Sequence, residues 1–186
     1  MDQEGEIQSA VLCEQFPQVE CFVRNLTYYR SIGEASLPNE DQDFWEEVSN
    51  AFLGAATLAW YNVFGSCGSH VYWSKLIENM PKKVKQDFKN HVYETDLNED
   101  AYQNCRNNIK TLRDKYIAHR DRDWQKHNYN SSDFENAMKI ATGYEFWVND
   151  LLQKESSSPM EPLADIIQSA KDDVKHVLYV LSSQKR

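Results

Sequence analysis

The sequence predicts an all-α protein, an antiparallel helical bundle, and three observations lead there. Apolar residues recur at three- and four-residue steps through every long segment, the spacing of one buried helix face. Glycine and proline number 6 and 5 among 186 residues, about half their ordinary usage, too few turn-formers for a many-stranded barrel or sandwich. The polar stretches between periodic segments are mostly short, so neighbouring helices run antiparallel. Hydrophobic residues at 41% and charged residues at 26% describe a globular chain that needs neither disulfide nor metal to fold. We read residues 1–186 as one domain, with a core over about 38–155 and helical extensions at both ends.

Taken in order, residues 7 to about 32 form the first helical stretch, with Val11, Leu12, Val19, Phe22, Val23 and Leu26 as its apolar residues and Pro17 kinking or dividing it. Residues 38–64 follow, opened by Pro38 and the acids Glu40, Asp41 and Asp43, with Phe44, Val48, Phe52, Ala55 and Ala59 as the core face. Gly65 to Ser69 breaks the pattern. His70 to about Met80 is a short helix ended by Pro81, and 82–93 is a basic helical or irregular piece. Asn98 caps a helix that reaches about His119, burying Ala101, Cys105, Ile109, Leu112 and Tyr116. A polar loop from Asp121 to Ser131 leads to Ser132, placed to open a capping box with Glu135, and to a helix burying Phe134, Met138, Ala141, Phe146 and Val148. Ser156 to Pro162 is the most linker-like segment, and the last helix, Leu163 to about Ser183, buries Ile166, Ile167, Ala170, Val174, Val177, Leu178 and Leu181.

The acidic start lacks a secretion signal and no run approaches the ~18 apolar residues of a membrane span, so a cytoplasmic protein without membrane contact is expected. Cys13, Cys21, Cys67 and Cys105 form no CxxC pair and read as reduced, partly buried thiols. The Cys67-x-x-His70 spacing would be half a zinc site, but no second ligand pair accompanies it, and neither metal nor cofactor is expected. Phosphate-binding loops, HExxH, GxSxG and paired Glu-x-x-His motifs are absent. The aromatic residues are either core or base-stacking platforms.

Net charge is −9, unfavourable for a general nucleic-acid binder. The distribution is uneven. Residues 1–50 carry a balance of −9, whereas residues 105–126 carry +4 and residues 81–91 carry +3. Two basic islands therefore lie in an acidic protein, either as solvated helix faces or as sites for nucleic-acid backbone. Arg106, Lys110, Arg120, Lys82 and Lys85 are the candidate RNA-backbone contacts.

One motif stands inside the larger island: Leu112-Arg113-Asp114-Lys115-Tyr116-Ile117-Ala118-His119-Arg120-Asp121. The arginine, a polar residue and a histidine six positions on, at the end of an amphipathic helix, resemble the active-site motif of the HEPN superfamily. The string RDKYIAHRD, with FWEEVSNAFLGAATLAWYNVFGS and HVYW upstream, resembles its AbiU-type abortive-infection branch. The resemblance covers roughly residues 40–150. It implies a HEPN-like bundle, a homodimer with facing motifs, and metal-independent endoribonuclease activity in phage defence or as the toxin of a toxin-antitoxin pair, with a cognate antitoxin or regulator as partner. Arg113, Asp114 and His119 carry over as the catalytic residues. Many members have asparagine or histidine where Asp114 stands, and some are inactive binding modules.

The chemistry suits these residue types. A histidine titrating near pH ~6.5 can move a proton at the ribose 2′-OH or the leaving 5′ oxygen. An arginine holds a phosphate through two parallel hydrogen bonds. Six steps along an ideal helix leave Arg113 and His119 about 120° and ~9 Å apart, so they meet at one phosphate only if the helix unwinds or a second copy supplies the partner. The competing reading makes His119 a satisfied core histidine and Arg113 a surface ion-pair partner. Two other function classes stay open: a non-catalytic helical dimeric interaction module, and a nucleotide- or small-molecule-binding bundle with an apolar pocket away from His119.

Overall fold

A computed structural model describes residues 7–35, 37, 41–117 and 131–184. Their regular structure is helical throughout: α1 (Ser9–Glu34), α2 (Gln42–Trp60), a π-turn (Tyr61–Gly65), a 3-10 turn (Trp73–Ile77), α3 (Lys82–Tyr93), α4 (Glu99–Leu112), a second π-turn (Arg113–Ile117), α5 (Ser131–Lys154) and α6 (Leu163–Gln184). Helix α1 packs on α2 and α6, while α5 packs on α3 and α4. One apolar cluster runs from Ile7 to Ile166 and joins the two groups.

The centre of that cluster is aromatic. Trp73 lies 4.1 Å from Phe88, centroid to centroid, and Phe88 lies 5.3 Å from Trp147. Tyr144 meets both Phe64 and Trp147 within 6.0 Å. Tilted and edge-on pairs of this kind add to the burial of their area. Tyr144 donates to Gln15 Oε1 at 2.7 Å, Gln15 Nε2 donates to the Tyr72 carbonyl at 2.9 Å, and Trp60 Nε1 donates to the Ala137 carbonyl at 3.2 Å, whereas the buried Trp73 Nε1 and Trp147 Nε1 find no partner among the described residues. Burial holds the Tyr144 phenol far above its ordinary titration range. At Gly143 the backbones of α3 and α5 come close; a Cβ there would lie 2.7 Å from Val92 Cα.

Several sequence expectations meet the structure with differences. Pro17 neither breaks nor divides α1, which runs through it. The Cys13 carbonyl that proline leaves without its usual helical donor sits on an exposed residue, where water can satisfy it. Helix α2 is described from Gln42, and the expected Pro38 and Glu40 start lies outside the described residues. Its buried face is Leu53, Ala56, Thr57, Ala59 and Trp60, whereas Phe44 is exposed and Val48, Phe52 and Ala55 are half-buried. Apolar residues occupy two faces of α2, and the cover supplied by α1 and the core decides which of them is dry. In α5 the buried stripe is Ile140, Tyr144, Trp147 and Leu151, so Phe146 points outward and Glu145 is buried in its place. The Glu145 carboxylate accepts from the Leu163 N–H, the first of α6, which otherwise lacks a helical partner. Burial raises the pKa of that carboxyl, partly countered by the bond from Leu163.

Asn98 caps α4, its side chain accepting from Ala101 N at 2.8 Å. The expected helix over 70–80 shrinks to the 3-10 turn at Trp73–Ile77, and residues 82–93 are fully α-helical. Helix α5 is under way at Ser131, so Ser132 lies within its first turn rather than at its cap. The linker-like stretch after α5 is tied down, with Asn149 Oδ1 accepting from Met160 N at 2.9 Å and Met160 buried. On α6 burial ends at Ala170; Val174 and Leu178 are half-buried and Val177 and Leu181 exposed. All four cysteines are free thiols, but only Cys105 and Cys21 are shielded, with Cys13 and Cys67 exposed. Burial raises the Cys105 thiol well above its ordinary range.

Candidate functional site

Two departures from α-helical geometry build the site. At the end of α2 the chain widens, and Ser66 N donates to Tyr61 O at 3.1 Å, an i to i+5 bond. Gly65 permits it: a Cβ there would fall 2.6 Å from Tyr61 Cε2, a separation that real Cβ contacts do not reach. The last carbonyls of this turn are claimed by α4, where Arg106 Nε donates to Phe64 O at 3.0 Å and Arg106 Nη2 to Gly65 O at 3.2 Å. Helix ends leave such carbonyls without internal donors, and a half-buried arginine supplies them here. Helix α4 itself gives way to the second π-turn at Arg113.

The two π-turns meet through one pair. The guanidinium carbon of Arg113 stands 3.8 Å from the centroid of the buried Tyr61 ring, well inside cation–π range. Arg113 Nε and Nη2 both donate to Asp114 Oδ1. The Nε and Nη2 edge of the guanidinium is thereby occupied, and Nη1 has no hydrogen-bond partner among the described residues.

Arg113 also lines a polar cleft of about 700 Å³ between α1, the first π-turn and the loop that follows it. His70 also lines the cleft and is exposed, its Nε2 3.1 Å from Glu14 Oε2 on α1. Ser66, Ser69, Asn62 and Gln18 complete the polar lining, and Asn62 Nδ2 donates to Gln18 Oε1 at 3.3 Å. Among the described residues no group of three or more His, Cys, Asp or Glu is arranged to hold a metal ion.

Of the residues singled out in the sequence, Arg113 lines the cleft and Asp114 pairs with it. His119 and Arg120 lie outside the described residues. Arg106 is half-buried and bonds backbone carbonyls. Lys110, Lys82 and Lys85 are exposed on α4 and α3, and none of them lines the cleft. Sequence reading missed Glu14 and the cleft role of His70, because 56 positions separate the two and no local pattern joins them.

A second, apolar cavity of about 280 Å³ lies between α1, α2 and α6, lined by Ile32, Trp45, Val48, Phe52, Val174 and Leu178. Tyr28 closes one wall by donating to Asp173 Oδ2 at 2.8 Å. Among the described residues no helix is long and apolar enough to cross a membrane. Compared with protein-family models, with curated proteins and with solved structures, the chain matches none of them.

Proposed function

We propose that this chain is a HEPN-type, metal-independent endoribonuclease, working as a cytoplasmic homodimer in phage defence or as the toxin of a toxin-antitoxin pair. The observation that carries the reading is Arg113. Its guanidinium is held by the Tyr61 ring and by Asp114 at a polar cleft, with one donor edge that no described residue occupies. An arginine held this way loses little freedom on meeting a phosphate and keeps its charge at every working pH. The change from α to π geometry at Arg113 also bears on the convergence of Arg113 with His119, since the regular 100° step ends there. The homodimer supplies the other route, placing one copy's motif beside its partner's.

In the reaction the 2′-OH loses its proton, its oxygen bonds to phosphorus, and the bond from phosphorus to the 5′ oxygen breaks. The 5′ oxygen keeps the electron pair and takes a proton, leaving a 2′,3′-cyclic phosphate and a 5′-hydroxyl. Arg113 faces the charge that gathers on the phosphoryl oxygens, Asp114 orients Arg113, and His119 transfers protons. Incubation of the purified protein with RNA in EDTA, followed by end-group analysis, tests this. Cyclic phosphate ends that vanish in His119→Ala are expected; intact RNA at every protein concentration sinks the reading.

The apolar cavity favours a second reading, a module that binds a small apolar or nucleotide-like ligand between α1, α2 and α6. Ligand-induced thermal stabilisation that disappears in Phe52→Asp, in a protein without RNA cleavage, would select it.

A further inference from the structure

We infer that the cavity between α1, α2 and α6 takes an uncharged aromatic ligand of naphthalene size, held among Tyr28, Trp45 and Phe52. The inference rests on the second reading above and fixes the class of its ligand as apolar rather than nucleotide-like. It uses neither Arg113 nor RNA cleavage.

Size comes first. The cavity holds about 280 Å³. A dry apolar cavity of ~150 Å³ accepts benzene, and drug-sized ligands occupy ~300 Å³ upward, so the space suits a guest of two fused rings. It is a recess between helices, not one uncovered helix face. Tyr28 and Ile32 come from α1, Trp45, Val48 and Phe52 from α2, and Val174 and Leu178 from α6.

The lining decides the chemistry. Each of these residues lies inside a helix, where backbone donors and acceptors are engaged by the helix itself. The polar pair in the lining is Tyr28 and Asp173, and the two are engaged with one another, the phenol donating to Asp173 Oδ2 at 2.8 Å. Arg24 Nη1 stands 3.7 Å from the same oxygen and offsets its charge from outside the recess. A nucleotide would bring its phosphate and base edges to walls that hold a carboxylate and no cation, and polar groups buried without partners cost free energy. An uncharged ring system meets no such cost.

The walls also favour an aromatic guest. The Tyr28 and Phe52 rings lie 4.9 Å apart, centroid to centroid, tilted by 56°, and Trp45 faces the same space. Tilted and edge-on ring contacts gain beyond the area they bury. Helix α6 supplies the consequence of binding. Its burial ends at Ala170, and Val174 and Leu178 are only half-buried. A guest in the recess covers both and fastens that half of α6 to α1 and α2.

The test uses the full chain, with naphthalene and adenosine monophosphate as probes. Saturation-transfer NMR reads binding and thermal unfolding reads stabilisation. Naphthalene should bind and raise the melting temperature, as a ligand of the native state does, and adenosine monophosphate should do neither. Phe52→Leu should weaken naphthalene binding by about 2- to 10-fold. Val174→Phe, placed to fill the recess, should abolish binding while the melting temperature holds; if that variant does not fold, Phe52→Leu decides. Naphthalene binding that is unaltered in the folded variants overturns the site. Stabilisation by adenosine monophosphate without naphthalene binding overturns the ligand class and leaves the ligand-module reading standing. Binding of neither probe removes both. Val177 lines the same recess and is 47% exposed. A dimer that Val177→Asp splits into monomers, and that excludes naphthalene, would seat a second copy in the recess and overturn the inference as well.

Discussion

The guanidinium carbon of Arg113 stands over the ring of Tyr61, 3.8 Å from its centroid, and so joins two π-turns that stand about fifty residues apart in the chain. Neither turn is regular α-helix: the first closes α2 and the second follows directly on α4. The pair therefore sets both the course of the backbone and the position of the cationic group at the cleft.

Removing the ring face tests that relationship. Tyr61→Leu should destabilise the fold and release Arg113, while Tyr61→Phe keeps the face and should behave as the unaltered protein. A cation–π contact of this kind is worth about 0.5–2 kcal/mol. A double-mutant cycle of Tyr61→Leu with Arg113→Lys, followed by urea unfolding, measures the coupling. A coupling of zero would show that the two groups merely lie near one another.

Gly65→Ala forces a methyl group into the Tyr61 ring. Overpacking of this kind typically destabilises by about 1–3 kcal/mol, and here the displaced ring is the platform for Arg113. The expected outcome is a lower melting temperature together with weaker RNA cleavage. Gly33→Ala in α1, where a Cβ meets nothing within 4 Å, serves as the control and should leave cleavage unchanged while holding or slightly raising the melting temperature.

Two carboxyls impose opposite pH dependences on stability. Burial raises Glu145 above its unfolded value, so the folded state holds that proton more tightly and stability falls as pH rises from the ordinary glutamate range through the raised value. Glu99 is lowered to about 2, first by the hydrogen bond from Tyr93 and then by that from Gln103. Its contribution is present above the unfolded value and is lost as pH falls towards 2. Glu145→Gln should remove the first slope and Glu99→Gln the second. Thermal melts across the acidic range should show both changes; identical pH profiles for all three proteins would count against these assignments.

The first turn of α3 holds Lys82, Lys83 and Lys85, positive charges at the positive end of a helix. Lys82→Glu should therefore raise the melting temperature slightly. If Lys82 also meets RNA backbone, the same change should weaken binding and reduce its salt dependence by about one phosphate contact. Binding titrations at several salt concentrations check this. Unaltered binding and slope would leave the lysine as a solvated charge alone.

Helices were legible wherever an apolar stripe met a single cover. Phe22, Val23 and Leu26 on α1 and Cys105, Ile109 and Leu112 on α4 are buried as their spacing predicts. Legibility failed where a helix carries apolar residues on two faces. Phe44 and Phe146 are exposed, because periodicity identifies a face without saying what will lie against it. Pro17 lies inside α1 rather than dividing it, and the Cys13 carbonyl that loses its helical donor belongs to an exposed residue, where water can replace the bond.

At the site the division runs along the same line. The sequence by itself determined the helical class, the stop signals at Gly65 and Pro81, the Asn98 cap, and the presence of an arginine-to-histidine motif, since each depends on residues within a few positions of one another. Only the tertiary structure decided that α2 and α4 widen into π-turns, that Arg106 feeds backbone carbonyls, and that Arg113, Tyr61, Glu14 and His70 share one cleft. These relations join segments as much as 99 residues apart. No local propensity encodes them; they exist because burying the aromatic core forces α1, α2 and α4 together and leaves their polar ends facing one another.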